Sequence, residues 1–241
     1  MSYARRVQQQ PHVEVELKLR VPLGRVEAVE AALRAPTDSA PATDIDLVAE
    51  YHDTDDWRLS RSGFAWRMRR EGPRWVQALK ARIDDDDTSR FEHEVDMGPA
   101  VDDTPPPVDP AQHDVTEIGL RFVATVARLA AEGWVPRPQF RVVVHRLERI
   151  VTNEFGTVAV ALDRGAITAG GTDAPLVSLD VCEVEFELVA GTVEAVRTEA
   201  TGWAQHHDLV ADLPNKARRG RALADAVRAP QAGVGTPPTD R

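Results

Sequence analysis

Several segments of this sequence alternate apolar and charged residues with a period of two, and they constrain the fold more than any other feature. The clearest is the segment 13–21, VEVELKLRV, in which valine and leucine alternate with glutamate, lysine and arginine. The same alternation recurs near the end of the chain in the segment 181–189, VCEVEFELV. Successive side chains of a β-strand point to opposite faces. Each such segment is therefore predicted to be a strand with one face that packs and one face that carries fixed charge.

Eight segments show a strand-like pattern, and four others show the helical spacing of apolar residues. The predicted strands are 13–21, 45–53, 64–71, 75–82, 90–97, 140–149, 158–163 and 181–189, and the predicted helices are 25–34, 112–132, 192–205 and 214–227. Because many of the strands follow one another at hairpin distance with few helices between them, the order favours an antiparallel sheet in an α+β fold over βαβ units. Periodicity does not determine whether that sheet closes into a barrel.

Two architectures accommodate strands with one apolar and one charged face. A sandwich places all the charge outside, in water, whereas a barrel packs the apolar faces against helices and turns the charges into a lumen. Glu183, Glu185 and Glu187 would lie about 7 Å apart along one strand face, where without a cation they only repel. In a lumen, carboxylates from two strands would form the all-oxygen site that Mg²⁺ or Mn²⁺ prefers, and arginines would suit bidentate contacts to phosphate. The residue pattern by itself leaves both architectures open.

The composition excludes several classes of protein. The chain carries 29 Lys and Arg against 39 Asp and Glu, a formal net charge of −10, which argues against general nucleic-acid binding. Its one cysteine, Cys182, excludes an internal disulfide and a cysteine-based zinc cluster. No apolar run approaches the ~20 residues that span a bilayer, and the N-terminus lacks the apolar core of a secretory signal. We expect a cytoplasmic protein with neither nucleic acid nor a membrane as partner.

The segment EVELK at 14–18 resembles the ExExK signature of the CYTH superfamily, the triphosphate tunnel metalloenzymes. Further blocks similar to those of the family follow in order: YHDT at 51–54; Leu59, Gly63 and RMR at 67–69; the strand 75–80 that ends at Lys80, with Ala78 where threonine is usual; RFE at 90–92; ALDRGAI at 161–167; CEVEFEL at 182–188; and NKARRG at 215–220. The resemblance covers residues 12–225. Its last three blocks look most like the inorganic triphosphatase branch, whose bacterial members often carry a helical CHAD domain that these 241 residues do not include.

The resemblance implies a closed eight-stranded antiparallel β-barrel, a tunnel, with helices packed outside it. The tunnel domain would span residues 12–227, after an N-terminal extension of residues 1–11 and before a disordered tail of residues 228–241. The implied activity is metal-dependent hydrolysis of tripolyphosphate to pyrophosphate and phosphate, with Mg²⁺ or Mn²⁺ as the cofactor and a small triphosphate as the partner. The oligomeric state is left open.

Roles carry over block by block from the resemblance. It implies metal binding by Glu14, Glu16, Asp163, Glu183, Glu185 and Glu187, and triphosphate binding by Lys18, Arg67, Arg69, Lys80, Arg146, Arg164, Lys216 and Arg219. It also implies that Lys18, Arg67, Arg69 and Lys80 act in catalysis together with Glu92, a lumen carboxylate that orders the arginines. Arg141 lies on the opposite strand face from Arg146 and is left out.

Other conspicuous residues have plainer interpretations. Cys182 alternates with Glu183 and is predicted to pack on the apolar side. The run Asp84–Asp87 is interpreted as a solvated turn, and His206 with His207 as a surface turn rather than a ligand pair.

Three other functions fit the same resemblance. The tunnel of relatives also serves as a class IV-type adenylate cyclase or a thiamine-triphosphatase, and both would need a docking surface for an organic group. Trp66 and Trp75 alternate with candidate lumen residues, so they are predicted to face outward and to leave no evident platform for a nucleoside. A non-catalytic module that binds polyphosphate or a nucleotide is the third alternative, to be separated from the enzymes by phosphate release.

Overall fold

Eight antiparallel strands close into a barrel in the computed structural model of the protein, which describes residues 10–36, 41–83, 89–102, 104–135, 137–171, 174–211 and 213–228. The strands are β1 (His12–Arg20), β2 (Thr43–Asp53), β3 (Phe64–Glu71), β4 (Arg74–Arg82), β5 (Ser89–Pro99), β6 (Arg137–Asn153), β7 (Gly156–Gly171) and β8 (Ala174–Gly191). Around the barrel they follow the order β1, β5, β4, β3, β2, β6, β7 and β8, and β8 pairs with β1 again. The closed eight-stranded barrel of the α+β class is thus confirmed, and the sandwich is excluded.

Five α-helices accompany the barrel in the part of the chain that the structure describes. They are α1 (Val26–Arg34), α2 (Arg58–Arg61), α3 (Glu117–Ala131), α4 (Val193–His207) and α5 (Lys216–Arg228), with short 3₁₀ turns at Leu23–Arg25 and Pro110–His113. The predicted helix 112–132 therefore begins later than expected, because the Thr116 hydroxyl accepts a hydrogen bond from the Gly119 N–H and caps α3 there. None of the helices described is long and apolar enough to cross a membrane.

Strands β6, β7 and β8 are longer than the sequence predicts. The predicted strands 140–149, 158–163 and 181–189 are each extended, so that β7 and β8 pair from Gly156 opposite Gly191 to Gly171 opposite Ala174. The stretch added to the end of β7, RGAITAGG, is rich in glycine and alanine, and none of the added stretches alternates apolar and charged residues. Their strand conformation comes from pairing with neighbours rather than from a local pattern.

The outward faces of the strands pack in two layers against helices. On one side, Leu162, Val184 and Phe186 of β7 and β8 meet α1 and α4. On the other side, Trp66 and Leu79 of β3 and β4 meet α3, and the Trp66 ring lies edge-on to Phe122 at 5.3 Å between centroids. Cys182 packs against the first of these layers. The predicted outward orientation of Trp66 and Cys182 is confirmed.

The histidine pair at the end of α4 differs from the prediction. His206 and His207 form the last turn of the helix rather than a surface turn. His207 is 7% exposed, and its ring lies 5.0 Å from that of Trp203, with which it shares one helix face. The interpretation as a surface turn is wrong for His207, because α4 runs two residues beyond the predicted end.

Helix α5 packs on the inner rather than the outer face of the barrel wall. Its apolar residues, which include Leu223 and Ala224, contact Val142, Ile167 and Val181 of β6, β7 and β8. Those three residues lie an even number of positions from the charged residues of the lumen on the same strands, and so they share the inner face. The helix thereby closes one end of the barrel.

Three predicted segments fall mainly or wholly outside the described residues. They are the N-terminal extension 1–11, of which residues 10 and 11 are described, the turn Asp84–Asp87, and the tail 228–241, of which Arg228 alone is described and forms the last residue of α5.

Gly220 sets how closely α5 approaches the wall. A Cβ atom at this position would lie 2.2 Å from two ring carbons of Phe140 on β6.

We expect Gly220→Ala to lower the free energy of unfolding by about 1–3 kcal/mol through overpacking, measured by urea denaturation. Gly202 is the matched control, since it is an exposed helical glycine in α4 where an added Cβ would meet no atom within 4 Å. Gly202→Ala is expected to stabilise the protein by roughly 0.5–1 kcal/mol. Equal effects at the two sites would contradict the close packing of α5.

Candidate active site

The charged strand faces enclose a lumen of about 790 Å³. Its charged lining comes from seven of the eight strands and from the start of α5, because each of these strands turns alternate residues inward. Twelve of the fifteen predicted site residues line it: Glu14, Glu16, Lys18, Arg67, Arg69, Lys80, Glu92, Arg146, Asp163, Glu185, Glu187 and Lys216. The structure therefore brings together side chains that are distant in sequence, as the resemblance implies.

Glu183 and Arg219 join this set through direct contacts. Glu183 is fully buried at the closed end of the lumen, where it accepts a hydrogen bond from Lys216 at 2.5 Å and pairs with Arg219. Lys216 and Arg219 both belong to the first turns of α5. The helix that closes the barrel thus also supplies two cations to the site.

The Lys216 ammonium lies at the centre of three carboxylates. Its Nζ is 2.6 Å from Asp163, 2.5 Å from Glu183 and 2.8 Å from Glu185. One oxygen from each of these carboxylates lies within 4.8 Å of the others, a spacing that could hold a metal ion. We call these three residues the acidic cluster. Arg146 binds Asp163 in a bidentate manner at 2.7 Å and also contacts Glu185, so three cations from β6 and α5 neutralise the cluster.

These contacts keep Asp163 and Glu185 ionised despite their burial. Burial alone raises the pKa of Asp163, but Arg146 and Lys216 more than offset it and hold that pKa below its ordinary value. The same balance of burial against Lys216, Lys18 and Arg146 holds the pKa of Glu185 well below its ordinary value. Burial likewise opposes the charge on Lys216, yet the three carboxylates raise its pKa. The cluster is an ionic network whose parts depend on one another.

A second network runs along β1, β3, β4 and β5. Lys80 donates to both oxygens of Glu14, at 2.6 and 2.7 Å, and lies 3.1 Å from Glu92. Arg67 lies 3.4 Å from Glu92 and 3.2 Å from Glu94. Glu92 thus holds both a lysine and an arginine, which is the ordering role that the resemblance implies for it.

Glu16 lies between the two networks, and its buried carboxyl group has a raised pKa. Burial, and then the charge of Glu185, raise its pKa to about 7, with Lys18 at 2.9 Å offsetting part of the effect. Its cross-strand neighbour on β8 is Glu187, another carboxylate that lines the lumen. Like charges directly opposite each other destabilise a strand pair. Negative charge is therefore in excess here, and the oxygen donors suit a hard divalent cation.

Arg164 lies apart from the other predicted residues. It is opposite Cys182 on the outer wall, its side chain is 42% exposed, and it pairs with Glu30 of α1 at 3.1 Å. The expectation that it belongs to the lumen is wrong, since it directly follows Asp163 in a regular strand and must point the other way.

Glu71 and Glu94 line the lumen on the strand faces that the alternation groups with Arg69 and Glu92, and Glu94 assists Glu92 in holding Arg67, the role expected for it from the sequence. Sequence reasoning missed Glu148, which also lines the lumen and lies two residues from Arg146, so the period of two could have identified it. Tyr51 also lines it, with its hydroxyl 3.5 Å from Arg67 and its ring stacked on Phe140 at 4.6 Å. Its inner-face neighbours on β2 are Leu47 and Ala49, so charge patterning gave no signal there.

Solved structures share this fold at low sequence identity. The putative adenylyl cyclase HpAC1 from Hippeastrum, described as having a dominant triphosphatase activity, is 17% identical with a TM-score of 0.56, over 87% of this chain and 95% of that one. A putative adenylate cyclase from Bacillus halodurans is 14% identical with a TM-score of 0.51, over 87% and 97%. The PH1819 protein from Pyrococcus horikoshii OT3 is 16% identical with a TM-score of 0.50, over 88% and 99%.

At these identities the likeness extends to the fold alone. No curated protein sequence matches the chain. The family model for the CYTH domain, however, matches residues 12–220, which include every predicted site residue. The protein therefore belongs to the CYTH domain family.

Proposed function

We propose that this protein is a metal-dependent inorganic triphosphatase that hydrolyses tripolyphosphate to pyrophosphate and phosphate in the lumen of its barrel. The observation that carries the proposal is the set of cations that line one cavity closed at one end by α5. They are Lys18, Arg67, Arg69, Lys80, Arg90, Arg146 and Lys216. A linear, highly charged anion is the ligand that such a set would bind. The triphosphatase activity described for the Hippeastrum protein, which shares the fold, supports this choice.

The cations of the two networks suit both requirements of the reaction, which are to bind the phosphoryl oxygens and to stabilise the leaving phosphate. The guanidinium groups of Arg67, Arg69 and Arg146 can bind phosphoryl oxygens in a bidentate manner, and the lysines supply point charges. Glu92 and Glu94 hold Arg67 in place before substrate arrives. Cations fixed in advance in a buried lumen stabilise the charge that develops on the leaving phosphate.

The charge and the oxygen donors of the carboxylates fit a Mg²⁺ or Mn²⁺ ion. Glu16, where negative charge is in excess, is the best-supported ligand, with Glu14, Glu185 and Glu187 on adjacent strands. The acidic cluster is the other candidate, since Lys216 already occupies a cation position within it. When bound, the metal would neutralise phosphoryl oxygens and make the attacking water more acidic.

The lining of the lumen favours an inorganic substrate over a nucleotide. Among the described residues that line it, Tyr51 is the one phenylalanine, tyrosine or tryptophan, and Phe140 covers a face of its ring. Trp66 packs outward against α3. A base or a thiazolium ring would therefore find little aromatic surface to stack on.

The first test is phosphate release from tripolyphosphate, ATP and thiamine triphosphate in parallel, with Mg²⁺, Mn²⁺ or EDTA. We expect turnover of tripolyphosphate in preference to the other two, and its loss in EDTA. Pyrophosphate and cyclic AMP formed from ATP would assign the protein to the cyclases instead. Tripolyphosphate binding without any product would make it a binding module.

A second test removes one predicted metal ligand. Glu185→Gln is expected to lower kcat for tripolyphosphate by roughly 100-fold, because a charged group of the lumen is lost while the shape is kept. Its Mn²⁺ affinity, measured by electron paramagnetic resonance, is expected to fall in parallel. Arg164→Met on the outer wall is the control and should leave both quantities unchanged. Full activity of Glu185→Gln would refute the assignment.

A third test concerns the ammonium inside the acidic cluster. Lys216→Met removes a cation that lies within 2.8 Å of three carboxylates. We expect the substrate-free protein to bind Mn²⁺ roughly tenfold more tightly, since the buried charge is then left in excess. Tripolyphosphate should bind more weakly in the same variant. The thermal midpoint should fall and should recover more on addition of Mn²⁺ than that of the unaltered protein. Unchanged or weaker Mn²⁺ binding would show that Lys216 does not stand in a metal position.

A further inference from the structure

The loop that joins β2 to α2 is fixed by one buried carboxylate. Asp53 accepts hydrogen bonds from the backbone N–H groups of Thr54 at 2.7 Å, Leu59 at 2.9 Å and Ser60 at 3.0 Å, and from the Ser60 hydroxyl at 2.7 Å. It is 4% exposed. A carboxylate with four donors leaves the intervening residues little conformational freedom.

Within this loop, Trp57 adopts a conformation that large side chains rarely take. Its φ of 62° and ψ of 41° lie in the left-handed region, where a bulky residue is uncommon. The residue is nevertheless 3% exposed. Backbone strain of this kind persists where the surrounding contacts hold the residue in place, and it is found most often at functional sites.

Trp57 contacts α5 through directional interactions. Its indole N–H donates to Asp225 at 2.5 Å. The guanidinium groups of Arg221 and Arg228 lie 5.5 and 4.9 Å from the centre of its ring, within the range of cation–π interactions. Arg228 also donates to the backbone oxygen of Asp55 at 2.9 Å. The loop thus holds the C-terminal half of α5 at three side chains.

The other half of the same helix carries cations into the site. Lys216 and Arg219 contact the acidic cluster. Gly220 packs closely against Phe140, whose ring centroid lies 6.4 Å from that of Trp57. The helix has 13 residues and is about 20 Å long. Because a helix is stiff over this length, its rotation and axial position at Trp57 determine where Lys216 lies.

We propose that Trp57 is a positioning residue of the triphosphatase site, which fixes the register of α5 and thereby places Lys216 among the three carboxylates of the acidic cluster. The inference rests on the proposed function in so far as Lys216 binds triphosphate. Plain burial would need only apolar contacts, whereas Trp57 makes one hydrogen bond and two cation–π contacts, all to the helix that bears Lys216.

The first experiment measures hydrogen exchange in the full chain with Trp57→Leu and Trp57→Phe. In Trp57→Leu we expect the amides of α5 to exchange at least tenfold faster, with the amides of β1 and β8 unchanged. Trp57→Phe keeps an aromatic face and loses the indole N–H, so the exchange of the α5 amides should rise by an intermediate amount. This variant provides the test if Trp57→Leu folds poorly. Trp134→Leu is the matched control, a partly buried tryptophan packed on the α3 side of the barrel. Unchanged exchange of α5 in both Trp57 variants would overturn the proposal.

The second experiment separates positioning from general stability by a double-mutant cycle. Tripolyphosphate binding is measured by calorimetry in EDTA for Trp57→Leu, Lys216→Met and the double variant. If Trp57 acts through Lys216, the leucine substitution should raise Kd roughly tenfold in the unaltered protein and no more than about twofold in the Lys216→Met background. An equal loss in both backgrounds would overturn the proposal.

The two proposals fail in different ways. A protein that neither binds nor hydrolyses tripolyphosphate would refute the proposed function. The hydrogen exchange of α5 and the Mn²⁺ affinity of the Trp57 variants would still report whether Trp57 holds the helix, because neither readout needs substrate. In that case we expect Trp57→Leu to tighten Mn²⁺ binding as Lys216→Met does, and unaltered Mn²⁺ affinity would count against the link to Lys216.

Discussion

The structure depends on the mutual neutralisation of charges that the barrel removes from bulk water. Asp163 and Glu183 are fully buried, and ionised groups in such surroundings are tolerated only when they are paired and hydrogen-bonded. Arg146, Lys216 and Arg219 meet that need at one end of the lumen, and Lys80 and Arg67 meet it for the carboxylates of β1 and β5. Fold and site are therefore not separable. The ion pairs that let the barrel close are made by the same groups that would bind a polyanion.

This arrangement also explains why the apolar residues lie where they do. The inner strand faces are largely committed to charge, so the principal hydrophobic layers form outside the barrel, between its wall and α1, α3 and α4. Helix α5 is the exception. It packs on inner-face residues that neighbour the charged positions of β6, β7 and β8, among them Val142, Ile167 and Val181. These apolar positions lie beside the ionic ones on the same three strands, which divides packing and ligand binding between two lengths of each strand.

Much of this was accessible from the sequence, because the alternation of charge fixes which residues share a face. The inward orientation of Arg146 and the exposed position of Arg141 follow from that rule. Motif resemblance alone misplaced Arg164, since it assigned a role to a residue whose position in the strand turns it outward. The extensions of β6, β7 and β8 carry no periodic signal. The inner location of α5 was not predictable either, because an amphipathic helix covers an apolar surface equally well inside a barrel or outside it.

The pairing of β1 with β8 has a consequence for how the chain folds. The barrel exists only after its first and last strands have met, and these strands are far apart in the sequence. Contacts of this kind form slowly, because the entropic cost of closing the intervening loop precedes the favourable energy of the contacts. Until β8 docks, the lumen faces of β1 and β8 remain in water, and Lys18 of β1 has not yet met Glu185, its partner on β8. The desolvation of these groups and the formation of this ion pair therefore fall in the same late step. A chain that has folded only in part has no lumen, so the capacity to bind a polyanion arises all at once, with completion of the fold.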